Sequence, residues 1–265
     1  MAQVLINGLK IDFDDVGQGQ AVVLIHGHPF NRSMWHPQVT ELQSAYRMIT
    51  FDLRGYGQSA VPDVNQTFLG DFASDIAALM DVRGVESAVV MGLSMGGQIA
   101  LEFYRQCPKR VTALVLADTF AQVDTDEGKK TRYQTADRLI HEGMEAYANE
   151  VLSKMITPNT ITTQPDVAQH VMDMMHSTPP QGAAAALRGR AERQDYTPLL
   201  SQISVPTLIV VGEEDAFTPV PQAEYMHQRI ANSTLEVIAN SGHMPNLEQP
   251  ERFNKVLVRF LRGIS

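Results

Sequence analysis

The pentapeptide Gly92-Leu93-Ser94-Met95-Gly96 lies between two contrasting patterns. The apolar, strand-like Ser87 to Met91 runs into it. Met95 to Gln106 leads out of it with helical patterning, stopped at Cys107-Pro108 because proline cannot continue a helix. A chain that passes from strand to helix over one serine must turn sharply in strained backbone geometry. The residues two positions to either side must then be small, so that strand and helix can approach. Gly92 and Gly96 meet that demand, and Gly97 adds room. The turn lifts the serine hydroxyl above a sheet edge, beside the positive end of the helix dipole. Such a pattern also arises by chance in glycine-rich turns, so its specificity comes from the strand before and the helix after.

The same alternation runs through most of the chain. Val4 to Ile6 and Leu9 to Phe13 flank Asn7-Gly8, a strong hairpin signal. Ala21 to Ile25 is continuously apolar, as expected of a strand buried on both faces. Arg47 to Phe51, Thr112 to Ala117 and Thr207 to Val211 repeat that type, and Phe68 to Val82 carries apolar residues near helical spacing. Strands alternating with helices imply parallel pairing through crossovers, hence an α/β sheet covered on both faces. From Thr119 to Asp195 the rhythm breaks into helix formers and methionines (Met144, Met155, Met172, Met174, Met175). This predicts a core of residues 1–118 and 196–265, with 119–195 inserted as a helical cap over the strand ends.

A serine hydroxyl is a poor nucleophile until a base takes its proton. His243, in the loop Asn240 to Asn246 after the strand-like Thr234 to Ile238, is the candidate base, and Gly242 before it lets the loop swing. The alternative is a solvated loop histidine. A base of this kind needs a carboxylate to hold its tautomer. Asp215 follows the Thr207 to Val211 strand and gives the chain order Ser94, Asp215, His243. Glu213 and Glu214 are competitors expected to face solvent, and Asp118, just past Ala117, is the rival that could also reach the histidine.

Acyl transfer also requires donors for the oxyanion. The backbone N–H of Met95 is one candidate and that of His28, in His26-Gly27-His28-Pro29-Phe30, the other; the His28 side chain is a candidate substrate contact. His26, His28 and His36 could instead suggest a metal, but no second ligand cluster completes a set, so none is expected. Asp52 to Ser59 reads as a folded turn bracing the His26 loop, and Cys107 as structural. Phe30, Phe120, Met144, Met172, Met175, Phe217 and Met244 are candidates for lining a substrate pocket, though methionine serves a core equally well.

Net charge and cysteine content narrow the setting. A formal charge of −9 without clustered Lys or Arg argues against nucleic-acid binding. A single cysteine excludes an internal disulfide and fits a reducing compartment. With neither a signal-peptide pattern nor a membrane-length apolar run, a cytoplasmic setting is expected. No oligomeric state is specified.

His26 to Pro29, Asp52 to Ser59, Gly92 to Gly96, Gly212 to Pro219 and Gly242-His243 together resemble the α/β-hydrolase superfamily, in its order and over essentially the whole chain. Within it the chain is similar to small bacterial carboxylesterases and 3-oxoadipate enol-lactonases. It also resembles cofactor-free haloperoxidase or perhydrolase esterases, in which a proline follows the oxyanion residue as Pro29 does here. The resemblance implies a mostly parallel eight-stranded sheet and a cofactor-free serine hydrolase acting on a small ester or lactone. Serine at position 94 counts against the aspartate-nucleophile dehalogenases and epoxide hydrolases. A slow-turnover ligand receptor on the same fold and a perhydrolase are the alternatives.

Overall fold

Eight strands form one sheet in the order β1-β2-β4-β3-β5-β6-β7-β8 in a computed structural model that describes residues 2–264. Strands β1 (Ala2–Ile6) and β2 (Leu9–Val16) form the expected hairpin, with Asn7 and Gly8 at φ 48° and 80° in the turn. Strand β2 runs past the predicted Phe13 to pair antiparallel with β4 (Arg47–Phe51). The remaining pairings are parallel, through β3 (Ala21–Ile25), β5 (Ala88–Leu93), β6 (Val111–Ala117), β7 (Thr207–Gly212) and β8 (Ser233–Ile238). Every residue of β3, β5 and β7 is buried, because helices cover both faces of these strands.

In chain order the helices are α1 (His36–Leu42), α2 (Leu69–Val82), α3 (Met95–Gln106), α4 (Asp126–Glu142), α5 (Glu145–Met155) and α6 (Pro158–Thr163). Then follow α7 (Pro165–His176), α8 (Pro180–Ala191), α9 (Thr197–Leu200), α10 (Val220–His227), α11 (Pro245–Glu248) and α12 (Pro250–Gly263). Inward side chains of alternate strand residues divide the core in two. One layer joins Val23, Ile25 and Val90 to Phe72, Ile76 and Phe103 of α2 and α3. The other joins Val22, Leu24 and Met91 to Trp35, Leu257 and Leu261, and reaches Val151 and Met175 of α5 and α7. Among the described residues no helix is long and apolar enough to cross a membrane.

Helices α4 to α8 all fall between β6 and β7. The glycines of α8 let it lie directly on core backbone. A Cβ on Gly182 would stand 1.9 Å from the Gly55 carbonyl oxygen, and one on Gly189 1.7 Å from that of Thr67. Gly55 itself has φ +80°, so the Asp52 to Ser59 turn is shaped to receive this helix.

Candidate active site

Ser94 sits in the turn between β5 and α3 with φ 56° and ψ −116°, a region that L-residues seldom occupy. The small residues around it leave no alternative. A Cβ on Gly92 would stand 2.1 Å from the Gly96 carbonyl oxygen, and one on Gly96 2.2 Å from that of Ile25. The Ser94 N–H donates to Ala117 O, and Thr119 Oγ1 donates to the Ser94 carbonyl, so the turn is held by the end of β6. The hydroxyl-bearing residue is 8% exposed.

Asp215 and His243 meet across the ends of β7 and β8. A Cβ on Gly212 would stand 1.9 Å from Gly242 O, which shows how closely the His243 loop folds back over β7. His243 Nδ1 lies 2.8 Å from Asp215 Oδ2. The N–H groups of Phe217 and Thr218 donate to Asp215 Oδ1 at 2.8 and 3.0 Å, and the Thr218 hydroxyl donates to Oδ2. Burial by itself would raise this carboxyl, but the adjacent His243 and the Thr218 donors outweigh it and hold it below the ordinary carboxylate range. Among the described residues no hydrogen bond joins Ser94 Oγ to His243.

Asp118 lies beside this pair and is also fully buried, with its backbone at φ 45°. Its Oδ1 accepts the Gly212 N–H at 2.9 Å, while Oδ2 is buried without a partner. Burial and the neighbouring Asp215 charge push its carboxyl well above the usual range. Of the two acids weighed from sequence, Asp215 is the one within hydrogen-bonding distance of the imidazole. Glu213 and Glu214 are exposed. Asp118, Asp215 and His243 bring donor atoms within 4.8 Å of one another, a spacing that could hold a cation. The Asp215 oxygens, however, are already taken up by four protein donors.

His28 stands in the turn after β3 and Met95 opens α3, and among the described residues their backbone N–H groups have no protein acceptor. The early histidines are not arranged as metal ligands. His26 places Nδ1 2.8 Å from Gly27 O and accepts the Leu53 N–H on Nε2, whereas His28 Nδ1 meets the Tyr56 hydroxyl at 2.8 Å. His36 is exposed. Asp52 accepts the N–H groups of Arg32 and Gln58 and pairs with the Arg32 guanidinium, the bracing expected of that turn.

The candidate pocket residues fall into different settings. Phe217 is exposed and packs its ring 5.1 Å from that of His243. Phe30, Met175 and Met244 are fully buried in the second core layer, with Met172 against it. Met144 joins the small cluster between α4 and α8, and Phe120 lies under the Arg193 guanidinium. Four residues had no distinct sequence signal: Thr218, Glu248, Gln98 and Arg190. Glu248 Oε1 accepts the Gly242 N–H at 2.7 Å, and its Oε2 accepts from the Thr157 N–H and the Thr160 hydroxyl, so it ties the His243 loop to α6.

Residues 20–250 match the model of the family described as alpha/beta hydrolase fold. The chain belongs to that family. This alpha/beta hydrolase is 30% identical over 257 residues to 3-oxoadipate enol-lactonase 1 of Acinetobacter baylyi, covering 97% of this chain and 94% of the relative. It superposes on a thermophilic esterase from Thermogutta terrifontis, solved with malate bound, with a TM-score of 0.96 and 37% identity over 99% of this chain and 98% of the other. The enol-lactonase of Burkholderia xenovorans LB400 gives a TM-score of 0.92 at 27% identity, covering 98% of this chain and all of its own, 100%.

Proposed function

We propose that this chain is a serine hydrolase that cleaves carboxylic esters, lactones included, through an acyl-enzyme on Ser94. The observation that carries the reading is the buried Asp215–His243 pair at 2.8 Å, set at the same sheet end as a serine held at φ 56°. Esterases and enol-lactonases among the relatives support the substrate class.

In this reading Ser94 Oγ attacks the ester carbonyl while His243 Nε2 takes its proton and Asp215 keeps Nδ1–H aligned. The N–H groups of Met95 and His28 receive the oxyanion. The alcohol leaves with the proton from His243, and in a lactone it remains tethered to the acyl group. Water activated by the same imidazole then frees the acid. The hydroxyl–imidazole contact tightens when substrate arrives, as is common for sites described without ligand. Residues 119–195 act as the cap that shapes the pocket above the strand ends.

Fluorophosphonate labelling with peptide mapping, run beside Ser94→Ala, tests the assignment. The expected result is a tag on the Ser94 peptide, lost in the alanine variant, together with steady-state turnover of short p-nitrophenyl esters. A tag elsewhere ends the assignment, and stoichiometric acylation without turnover favours a receptor.

A further inference from the structure

Glu248 is a buried carboxylate, 1% exposed, whose partners are neutral donors; among the described residues no cationic side chain pairs with it. A carboxylate taken out of water is costly unless hydrogen bonds replace its hydration. Here the donors come from two distant parts of the chain. The Gly242 N–H, one residue before His243, donates to Oε1 at 2.7 Å. The Thr157 N–H and the Thr160 hydroxyl, at the start of α6, both donate to Oε2 at 2.8 Å. Hydrogen bonds to a charged acceptor are about twice as strong as neutral ones, so one side chain clasps the His243 loop to a helix of residues 119–195.

The α6 side of the clasp is shaped to present these donors. Thr157 caps the helix, its Oγ1 accepting the Thr160 N–H at 3.1 Å, and the two threonine oxygens lie 3.0 Å apart. Thr160 is fully buried. Thr162 and Thr163, on the outer face of the same helix, are exposed, and their hydroxyls donate only to carbonyls within it. Gln164 Nε2 adds a bond to the Glu248 carbonyl at 3.2 Å. The backbones also touch, since a Cβ on Gly242 would meet Thr157 N at 3.5 Å.

The other side of the His243 loop is held by the core. Ser241 Oγ donates to Ile238 O, the Glu214 N–H donates to Ser241 O, and Gly212 leaves no space beneath Gly242. Asp215 orients the ring through Nδ1, but the backbone that carries the ring depends on both grips.

We propose that Thr160 is a positioning residue for His243: acting through Glu248, it fixes the backbone that carries the imidazole, so that residues 119–195 set the rate of proton transfer as well as the fit of the substrate. This rests on the reading of His243 as the base for Ser94.

Thr160→Val keeps the shape of the side chain and removes the hydroxyl. On a short p-nitrophenyl ester, kcat should fall roughly 3- to 10-fold with KM within about twofold, as for a base held less firmly. Thr160→Ser restores the hydroxyl and should recover most of the loss. Thr162→Val makes the same change on the exposed face and should leave kcat at the wild-type value. An unchanged kcat in Thr160→Val overturns the proposal, as does a loss confined to KM or a Thr160→Ser variant no faster than Thr160→Val. Wild type supplies a second test, which decides the matter if Thr160→Val does not fold. The Thr157 and Gly242 amides share one carboxylate, so in hydrogen exchange followed by NMR they should open together, with protection within about threefold of each other. Protection that differs by more than about tenfold shows two independent openings and overturns the clasp. If wild type turns over no ester and takes no fluorophosphonate, the reading of Ser94 fails on its own, and the exchange measurement still tests the clasp.

Discussion

Asp118 and Asp215 bring buried carboxyl oxygens within 4.8 Å of each other beyond the ends of β6 and β7, yet their surroundings push the two carboxyl pKa values in opposite directions. Asp215 is surrounded by donors and faces the imidazole, so its charge is stabilised. Asp118 has one N–H on Oδ1 and no protein donor on Oδ2, so burial and the Asp215 charge push its pKa well above the usual carboxylate range. Environments that push two like groups apart in pKa assign them different tasks.

Asparagine at either position separates the two. If the proposed mechanism holds, Asp215→Asn removes the charge that orients and stabilises the imidazolium, and kcat/KM on a short ester should fall roughly 10^3- to 10^4-fold. Asp118→Asn puts a neutral amide where burial already favours the uncharged form of the acid, and should stay within about tenfold of wild type. The reverse order in steady-state assays would move the orienting role to Asp118.

The sequence displayed the Ser94 turn because that geometry admits few residues. Gly92 and Gly96 are required by backbone atoms about 2 Å from where a Cβ would be, and such a demand shows in any glycine pattern flanked by strand and helix. The order of Ser94, Asp215 and His243 was legible because each lies just past a strand-like run, continuously apolar before Ser94 and Asp215 and mixed (Thr234 to Ile238) before His243. Arg190 was not. Pro180 to Ala191 reads as an ordinary alanine-rich helix, and its one buried charge becomes visible only when Gly182 and Gly189 set it against core backbone. Glu248 was absorbed into the final helical pattern, although it ends α11, where its carboxylate turns inward to Gly242. Phe30, Met175 and Met244 show the limit of composition: an apolar residue near a site can equally belong to the layer beneath it.

Glu248 should couple stability to activity. Glu248→Ala leaves the Gly242 N–H, the Thr157 N–H and the Thr160 hydroxyl without their acceptor in a buried region. An unsatisfied buried donor costs about 1–3 kcal/mol, so the midpoint of urea unfolding should drop clearly. Because Gly242 precedes His243, kcat should fall as well, roughly tenfold for an imidazole held less firmly. A stability loss with kcat unchanged would show that the loop keeps its geometry without this carboxylate.

Alanine at Gly182 or Gly189 sets helix propensity against contact. In an exposed helix interior the change from glycine would stabilise by about 1 kcal/mol. Here the new methyl meets backbone oxygens of Gly55 or Thr67 at under 2 Å, and backbone cannot rotate aside as a flexible side chain can. Overpacking of this kind costs about 1–3 kcal/mol, so both variants should unfold at lower temperature in calorimetry despite the better helix former. Unchanged or raised melting would mean that α8 lifts from the core freely.

His26 should make the protein acid-sensitive well above the carboxylate range. Its ring is fully buried, with Nδ1–H donating to Gly27 O and Nε2 accepting the Leu53 N–H, so both bonds require the neutral form. Burial lowers its pKa from 6.5 to about 4, and the nearby Asp52 only partly opposes this. Between those values the unfolded chain binds more protons than the folded one, so stability must fall as pH drops from 6.5 towards 4, by about 3 kcal/mol in full. Below the folded value both states carry the proton and the contribution changes no further. His28, also held low by burial, acts with the same sign from the same upper limit. Asp118 acts oppositely: its raised pKa stabilises the fold at low pH, and that contribution fades as pH rises through the folded value. The measurement is therefore a difference. Urea unfolding of wild type and His26→Gln, followed by circular dichroism from pH 4.5 to 7, should show the variant less stable at pH 7 and the gap narrowing steadily on acidification. Parallel curves across that range would assign the acid sensitivity to other groups.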